Sequence, residues 1–241
     1  MPGQRTIQVW EWIAAAHEGA GPVSVAAVGR AAAVRLGVDG ASLTAISSAV
    51  AREPLFASDE LSARLEDLQF VTGDGPTEAD FRFGTPVLIP DLESMTPRWP
   101  GFGPAALAAG ARALFMLPLQ AGAIRVGVLS LYRAAPGPLT AEELADGLVL
   151  ADIALQLVLD SAAGISGQPG YRPLDGLPGS RAEVYQATGM ISVQLGVSLD
   201  EAFARLRAHA WASDSALGDV ADDVVRRLLR FEPDPPAELP A

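Results

Sequence analysis

Six side chains near the C-terminal end of the sequence have the types and spacing to grip phosphate: Arg205, Arg207 and His209, then Arg226, Arg227 and Arg230. A guanidinium presents a planar fork of N–H donors with a permanent charge, which matches phosphate oxygens in pairs. Carried on two neighbouring helices, such groups would form a positive patch for a polyanion. The same residues also have an ordinary structural reading. Asp222–Arg226 and Asp223–Arg227 are four apart with the acid first, the favourable sense for helix ion pairs. Arg226, Arg227 and Arg230 also lie where a helix C-terminus favours cations. Phe203 and Trp211 are able to stack on unpaired bases; their spacing favours the core for Phe203 and leaves Trp211 open between the two roles.

Elsewhere the chemistry is sparse. The chain has no cysteine, and all 17 of its basic residues are arginine. Disulfides, thiolate nucleophiles and cysteine zinc sites are thereby excluded, as are P-loop and Schiff-base lysines. The two histidines, His17 and His209, are far apart, and no G-x-S-x-G elbow is present. Gly101-Phe-Gly103-Pro-Ala-Ala106 formally matches a dinucleotide fingerprint, but it follows Trp99-Pro100 rather than a strand and reads as a turn leading into a helix. Gly73-Asp-Gly75-Pro76, with Thr77, Glu78 and Asp80, reads as a solvated loop in preference to a ligand or cation edge. No catalytic residue, metal or cofactor is expected, and the chain is not expected to be an enzyme.

The elements that would position the arginines follow from periodicity. Ser180 with Glu183, and Ser198 with Glu201, form capping boxes. Val184, Ala187, Ile191 and Leu195 share one helical face. Leu199, Ala202, Phe203, Leu206 and Ala210 share a second, and Leu217, Val220, Ala221, Val224 and Leu228 a third. Gly196 ends the first helix. The result is a three-helix bundle of about fifty residues, a size that is marginal on its own. Upstream, helices are expected over Gln4–His17, Ser24–Leu36 and Ser58–Phe70, the last capped by Ser58, and from Thr140, boxed with Glu143, to about Asp160. Strands are expected over Ala41–Val50, Pro54–Ala57, Pro86–Ile89, Ala113–Leu119 and Ile124–Tyr132. This order fits an α+β fold with an antiparallel sheet flanked by helices.

The domain organisation is therefore a sensor-sized unit at 1–160, a Gly/Pro-rich linker at 161–180, the bundle at 181–231 and an acidic Pro-rich tail at 232–241. The whole chain has 241 residues, 29 of them acidic, and a net charge of −12. A global counter-ion for nucleic acid is ruled out, so any polyanion must find a local patch. Residues 181–231, with six arginines and seven acids, are net −1. The most apolar stretch, Leu144–Leu159, is broken by Asp146 and Asp152 and is too short to span a bilayer. A cytoplasmic location with no membrane contact is expected. The absence of Lys and Asn beside abundant Ala, Gly, Arg and Pro is consistent with a GC-rich bacterial genome.

The C-terminal segment runs from Glu183-Val-Tyr-Gln-Ala187-Thr188-Gly189-Met190, through Glu201-Ala202-Phe203-Ala-Arg205-Leu206-Arg207, to Leu217-Gly-Asp-Val220-Ala221-Asp-Asp-Val224-Val225. It resembles the ANTAR domain, a three-helix RNA-binding module of bacterial transcription antiterminators. Residues Gly40-Ala-Ser-Leu-Thr44, Gly73-Asp-Gly75-Pro76, Arg98-Trp99-Pro100, Leu117-Pro118-Leu119 and Gly127-Val-Leu-Ser-Leu131-Tyr132 resemble a GAF domain of the kind that precedes ANTAR in actinobacterial proteins. The resemblance implies a GAF sensor, of unknown ligand, controlling an ANTAR output. The output would bind a stem-loop in nascent RNA through Arg205, Arg207, His209, Arg226, Arg227 and Arg230. It also implies a homodimer, for which the Leu144–Leu159 helix is suited. Where many ANTAR domains have a basic residue before the first-helix glycine, this chain has Thr188. The alternative is a sensory or protein-interaction regulator whose bundle serves only dimerisation or docking, a reading that the net −1 charge favours.

Overall fold

The computed structural model describes residues 2–18, 21–47, 52–162 and 180–232. The expected linker at 161–180 and tail at 232–241 lie, apart from their end residues, outside that set. So do the Val50 end of the first expected strand and the side chain of Ser180. The described residues form two compact units, the first ending at 162 and the second beginning at 180.

The first unit is an α+β sandwich around a five-stranded sheet, entirely antiparallel, in the order β2-β1-β5-β4-β3. Its strands are β1 (Gly40–Ile46), β2 (Arg52–Ala57), β3 (Val87–Ile89), β4 (Ala113–Ala121) and β5 (Ile124–Arg133). β4 is an almost unbroken apolar run because both of its faces are covered. Helices α1 (Pro2–Ala16), α2 (Val25–Arg35) and α6 (Ala141–Ala162) pack on one face, around Leu43, Phe115, Leu117 and Leu129. Gly29 lets α2 settle on the sheet, since a Cβ there would lie 2.1 Å from the Phe56 ring. Helices α3 (Glu60–Thr72), α4 (Pro76–Phe83) and α5 (Phe102–Ala109) cover the other face, around Leu114, Met116, Val128 and Tyr132. The capping box of α6 forms as expected: the Glu143 amide donates to Thr140 Oγ1 at 3.1 Å, and the Thr140 amide to Glu143 Oε2 at 2.6 Å.

Three expectations are corrected in this unit. The cap of α3 is Asp59, whose Oδ1 accepts from the Ser62 amide at 2.8 Å. Ser58 instead accepts the Ala41 amide at 2.9 Å and so ties the helix entry to β1. The Gly73–Asp80 stretch is not a solvated loop. Gly73 ends α3 in a left-handed conformation, Gly75 opens α4, and Thr77 and Asp80 are fully buried. A 3-10 turn, Glu93–Arg98, precedes α5 where no element was expected.

The second unit is the expected three-helix bundle: α7 (Ser180–Leu195), α8 (Leu199–Ala212) and α9 (Leu217–Val225). Val184, Ala187 and Ile191 meet Ala202, Phe203, Leu206 and Ala210, and Leu217, Val220, Ala221 and Val224 close the core. Phe203 belongs to that core at 1% exposure, while Trp211 lies on the surface at 80%. Leu199 and Leu228, expected on buried faces, are exposed.

Candidate functional site

The termini of α8 and α9 decide where the arginines go. α9 stops at Val225, and the chain turns back through a Schellman motif. The Leu228 amide reaches the Asp223 carbonyl at 2.8 Å and the Arg227 amide reaches the Val224 carbonyl at 3.0 Å. Arg227 occupies the left-handed position with φ of 63°. α8 ends the same way, with Asp214 left-handed and the Ser215 amide on the Ala210 carbonyl at 3.0 Å. The early stop of α9 takes Leu228 off the helical face and moves Arg227 away from Asp223, so among the described residues that expected ion pair is not made.

The six expected phosphate contacts thus fall into different states. Arg226 holds Asp222 at 2.9 Å, and Arg205 holds Glu201 at 3.2 Å. Arg207 lies over the Phe203 ring, 4.4 Å from its centroid, and shields the core with its guanidinium. His209 meets Phe231 edge-on at 5.4 Å, and the Phe231 amide donates to Gln194 Oε1 at 2.9 Å. This contact folds the chain after α9 back onto α7 and α8. Arg227 and Arg230 are exposed, and among the described residues no side-chain hydrogen bond or ion pair occupies their guanidiniums. Trp211, exposed at the end of α8, is the aromatic free to stack. Thr188 is fully buried, its hydroxyl donating to the Val184 carbonyl at 2.7 Å. A basic side chain has no room there.

The first unit holds a small cavity between α3 and the sheet, mostly apolar in its wall but reached by a few polar side chains, with room for about one water molecule. Glu66 of α3 and Ser42 and Ser130 of the central strands β1 and β5 line it. The Glu66 carboxylate is buried and accepts from Ser42 Oγ at 2.9 Å and Thr44 Oγ1 at 3.0 Å. Sequence reasoning missed these residues. Their signal was the placement of Ser42 and Thr44 on one face of a strand whose other residues are apolar. Asp80 of α4 is also buried, and neither carboxyl oxygen has a hydrogen-bond partner among the described residues. Burial pushes its pKa up from 3.8 to about 7, against the opposing pull of the Arg125 guanidinium. Among the described residues, no group of three or more His, Cys, Asp or Glu could hold a metal ion, and no helix is long and apolar enough to cross a membrane.

Residues 179–225, the span of the bundle, match the family model of the ANTAR domain. The first unit has the fold of GAF domains. The chain is similar to the GAF domain of a phosphoenolpyruvate-protein phosphotransferase (ptsP) from Coxiella burnetii, at 15% identity and a TM-score of 0.52. That likeness covers 66% of this chain and 94% of the other. The GAF domain of an Acinetobacter phosphoenolpyruvate-protein phosphotransferase is also similar, at 10% identity and a TM-score of 0.48, over 68% of this chain and 95% of the other. No curated protein matches the chain. The ANTAR match and the likeness to the Coxiella burnetii GAF domain support an architecture in which a GAF-like unit precedes an ANTAR-like bundle.

Proposed function

We propose that this chain is a cytoplasmic, homodimeric, non-enzymatic regulator. Its GAF-like unit receives a signal, and its ANTAR-like bundle binds a stem-loop in nascent RNA and favours antitermination. The observation that carries the reading is the ANTAR match over 179–225 on a bundle that leaves Arg227 and Arg230 exposed. These two arginines position the phosphates, Arg205, Arg207, His209 and Arg226 are the further candidate contacts, and Trp211 supplies a stacking surface. Filter binding of the full chain to RNA hairpins at low and moderate salt tests the reading. Binding is expected to weaken steeply with salt and to fall about tenfold or more in Arg227→Ala/Arg230→Ala. No binding by the full chain at low salt refutes it.

A second reading, in which the bundle docks a protein, is favoured by its net charge of −1 and by the carboxylates already paired to Arg205 and Arg226. It gains if the full chain binds no RNA hairpin at low salt.

A further inference from the structure

The cavity under α3 is built around a charge without a counter-charge. Glu66 is 7% exposed, and its donors are the hydroxyls of Ser42 and Thr44. Among the described residues no guanidinium or imidazole pairs with it. A desolvated carboxylate in that position is costly until a cation or further donors reach it. Ser130 is the partner of Ser42 across β1 and β5 and is also 7% exposed; its Oγ has no hydrogen-bond partner among the described residues. Both side chains line the same cavity. We propose that the cavity is a binding site for ammonium, held by the Glu66 carboxylate and by the hydroxyl oxygens of Ser42 and Ser130.

Size and chemistry narrow the ligand to a small monovalent cation. Ammonium is chosen because it can meet the few acceptors by directed hydrogen bonds. Potassium, of nearly the same size, is the competing cation that the potassium chloride arm of the test separates. A space for about one water excludes a guanidinium or an amine carrying a chain. An anion is repelled by Glu66. Calcium and magnesium require six or more oxygen ligands, whereas much of this wall is Leu65, Leu114 and Met116. Ammonium brings four N–H donors in a tetrahedron, and the site offers acceptors and an uncompensated negative charge. Water is the competing occupant: it would satisfy Ser130 but leave the charge in place. That ammonium is the regulatory signal rests on the sensor reading above; the binding site itself does not.

The test is thermal unfolding and titration calorimetry of the full chain in ammonium chloride, compared with sodium and potassium chloride at matched ionic strength. A saturating rise in Tm confined to ammonium is expected. It should weaken about tenfold in Ser130→Ala and disappear in Glu66→Gln. The same Tm in all three salts overturns the proposal and leaves water as the occupant. An ammonium response that survives both substitutions unchanged overturns it too. If Glu66→Gln fails to fold, Ser130→Ala decides alone. RNA binding in sodium chloride is measured separately; its absence strikes the regulator reading and not the cavity.

Discussion

Arg227 stands at the left-handed position after a helix that glycine usually fills. With a Cβ, a left-handed residue costs roughly 1–2 kcal/mol, and the Schellman turn after α9 is made with arginine nonetheless. Strain of this kind, kept at an exposed cation, is what a binding role would preserve. Arg227→Gly is therefore expected to raise the stability of the bundle by about 0.5–1 kcal/mol while weakening RNA binding. Arg227→Ala should lose RNA affinity with no such gain, and Arg227→Lys should keep most of the affinity. Urea midpoints and filter binding read the two effects separately. RNA affinity unchanged in Arg227→Gly removes this residue from the interface. The arginine cluster was legible in the sequence by residue type, but the state of each member was not. Arg226 and Arg227 are equally spaced from Asp222 and Asp223, and only the stop at Val225, which no Gly or Pro marks, separates a paired guanidinium from a free one.

At the level of elements, α4 shows how legibility fails. Thr140 with Glu143 and Ser198 with Glu201 announce α6 and α8 because a cap is local, and both helices start there. Ser58 and Asp59 are both able to cap α3, and the choice fell to β1, whose Ala41 amide took Ser58. α4 opens on Gly-Pro and carries Thr, Glu and Asp, so its composition reads as solvent-facing while tertiary packing buries Thr77 and Asp80. The buried Asp80 has a consequence for stability. Its folded pKa, about 7, lies above the unfolded value of 3.8, so its contribution is greatest below about pH 4 and is lost as pH rises through about 7. Asp80→Asn should come closest to wild type in stability at about pH 4, gain on it as pH rises through about 7, and be more stable at about pH 8 by on the order of 3–4 kcal/mol. Melting curves of both proteins across that range check it. Glu53 and Asp152, which burial also pushes up, are common to both and cancel in the difference. A difference independent of pH would mean that Asp80 does not titrate there.

Across the whole chain, two exposed arginines per bundle make a modest phosphate site, and the proposed homodimer is what would make it sufficient. α6 is the element for it. Its buried side packs on the sheet through Leu150, Ala151 and Ala154, while Leu148 and Leu159 stay exposed. They are eleven residues apart, three helical turns, and so lie on the same stripe. Two bundles joined through such a contact would engage one folded RNA with an effective concentration that a single bundle lacks. The charge count then fixes the salt response. Four guanidiniums predict a slope of log K against log salt of about −3, and two predict about −1.5. Leu148→Glu/Leu159→Glu should convert a dimer to a monomer in sedimentation equilibrium, halve that slope and weaken RNA binding by more than tenfold. The bundle's own arginines remain intact in that variant, so the loss would belong to assembly alone. A wild-type chain that sediments as a monomer while binding RNA with the steeper slope would place the additional cations on a single bundle, and α6 would then serve only the core of its own sheet.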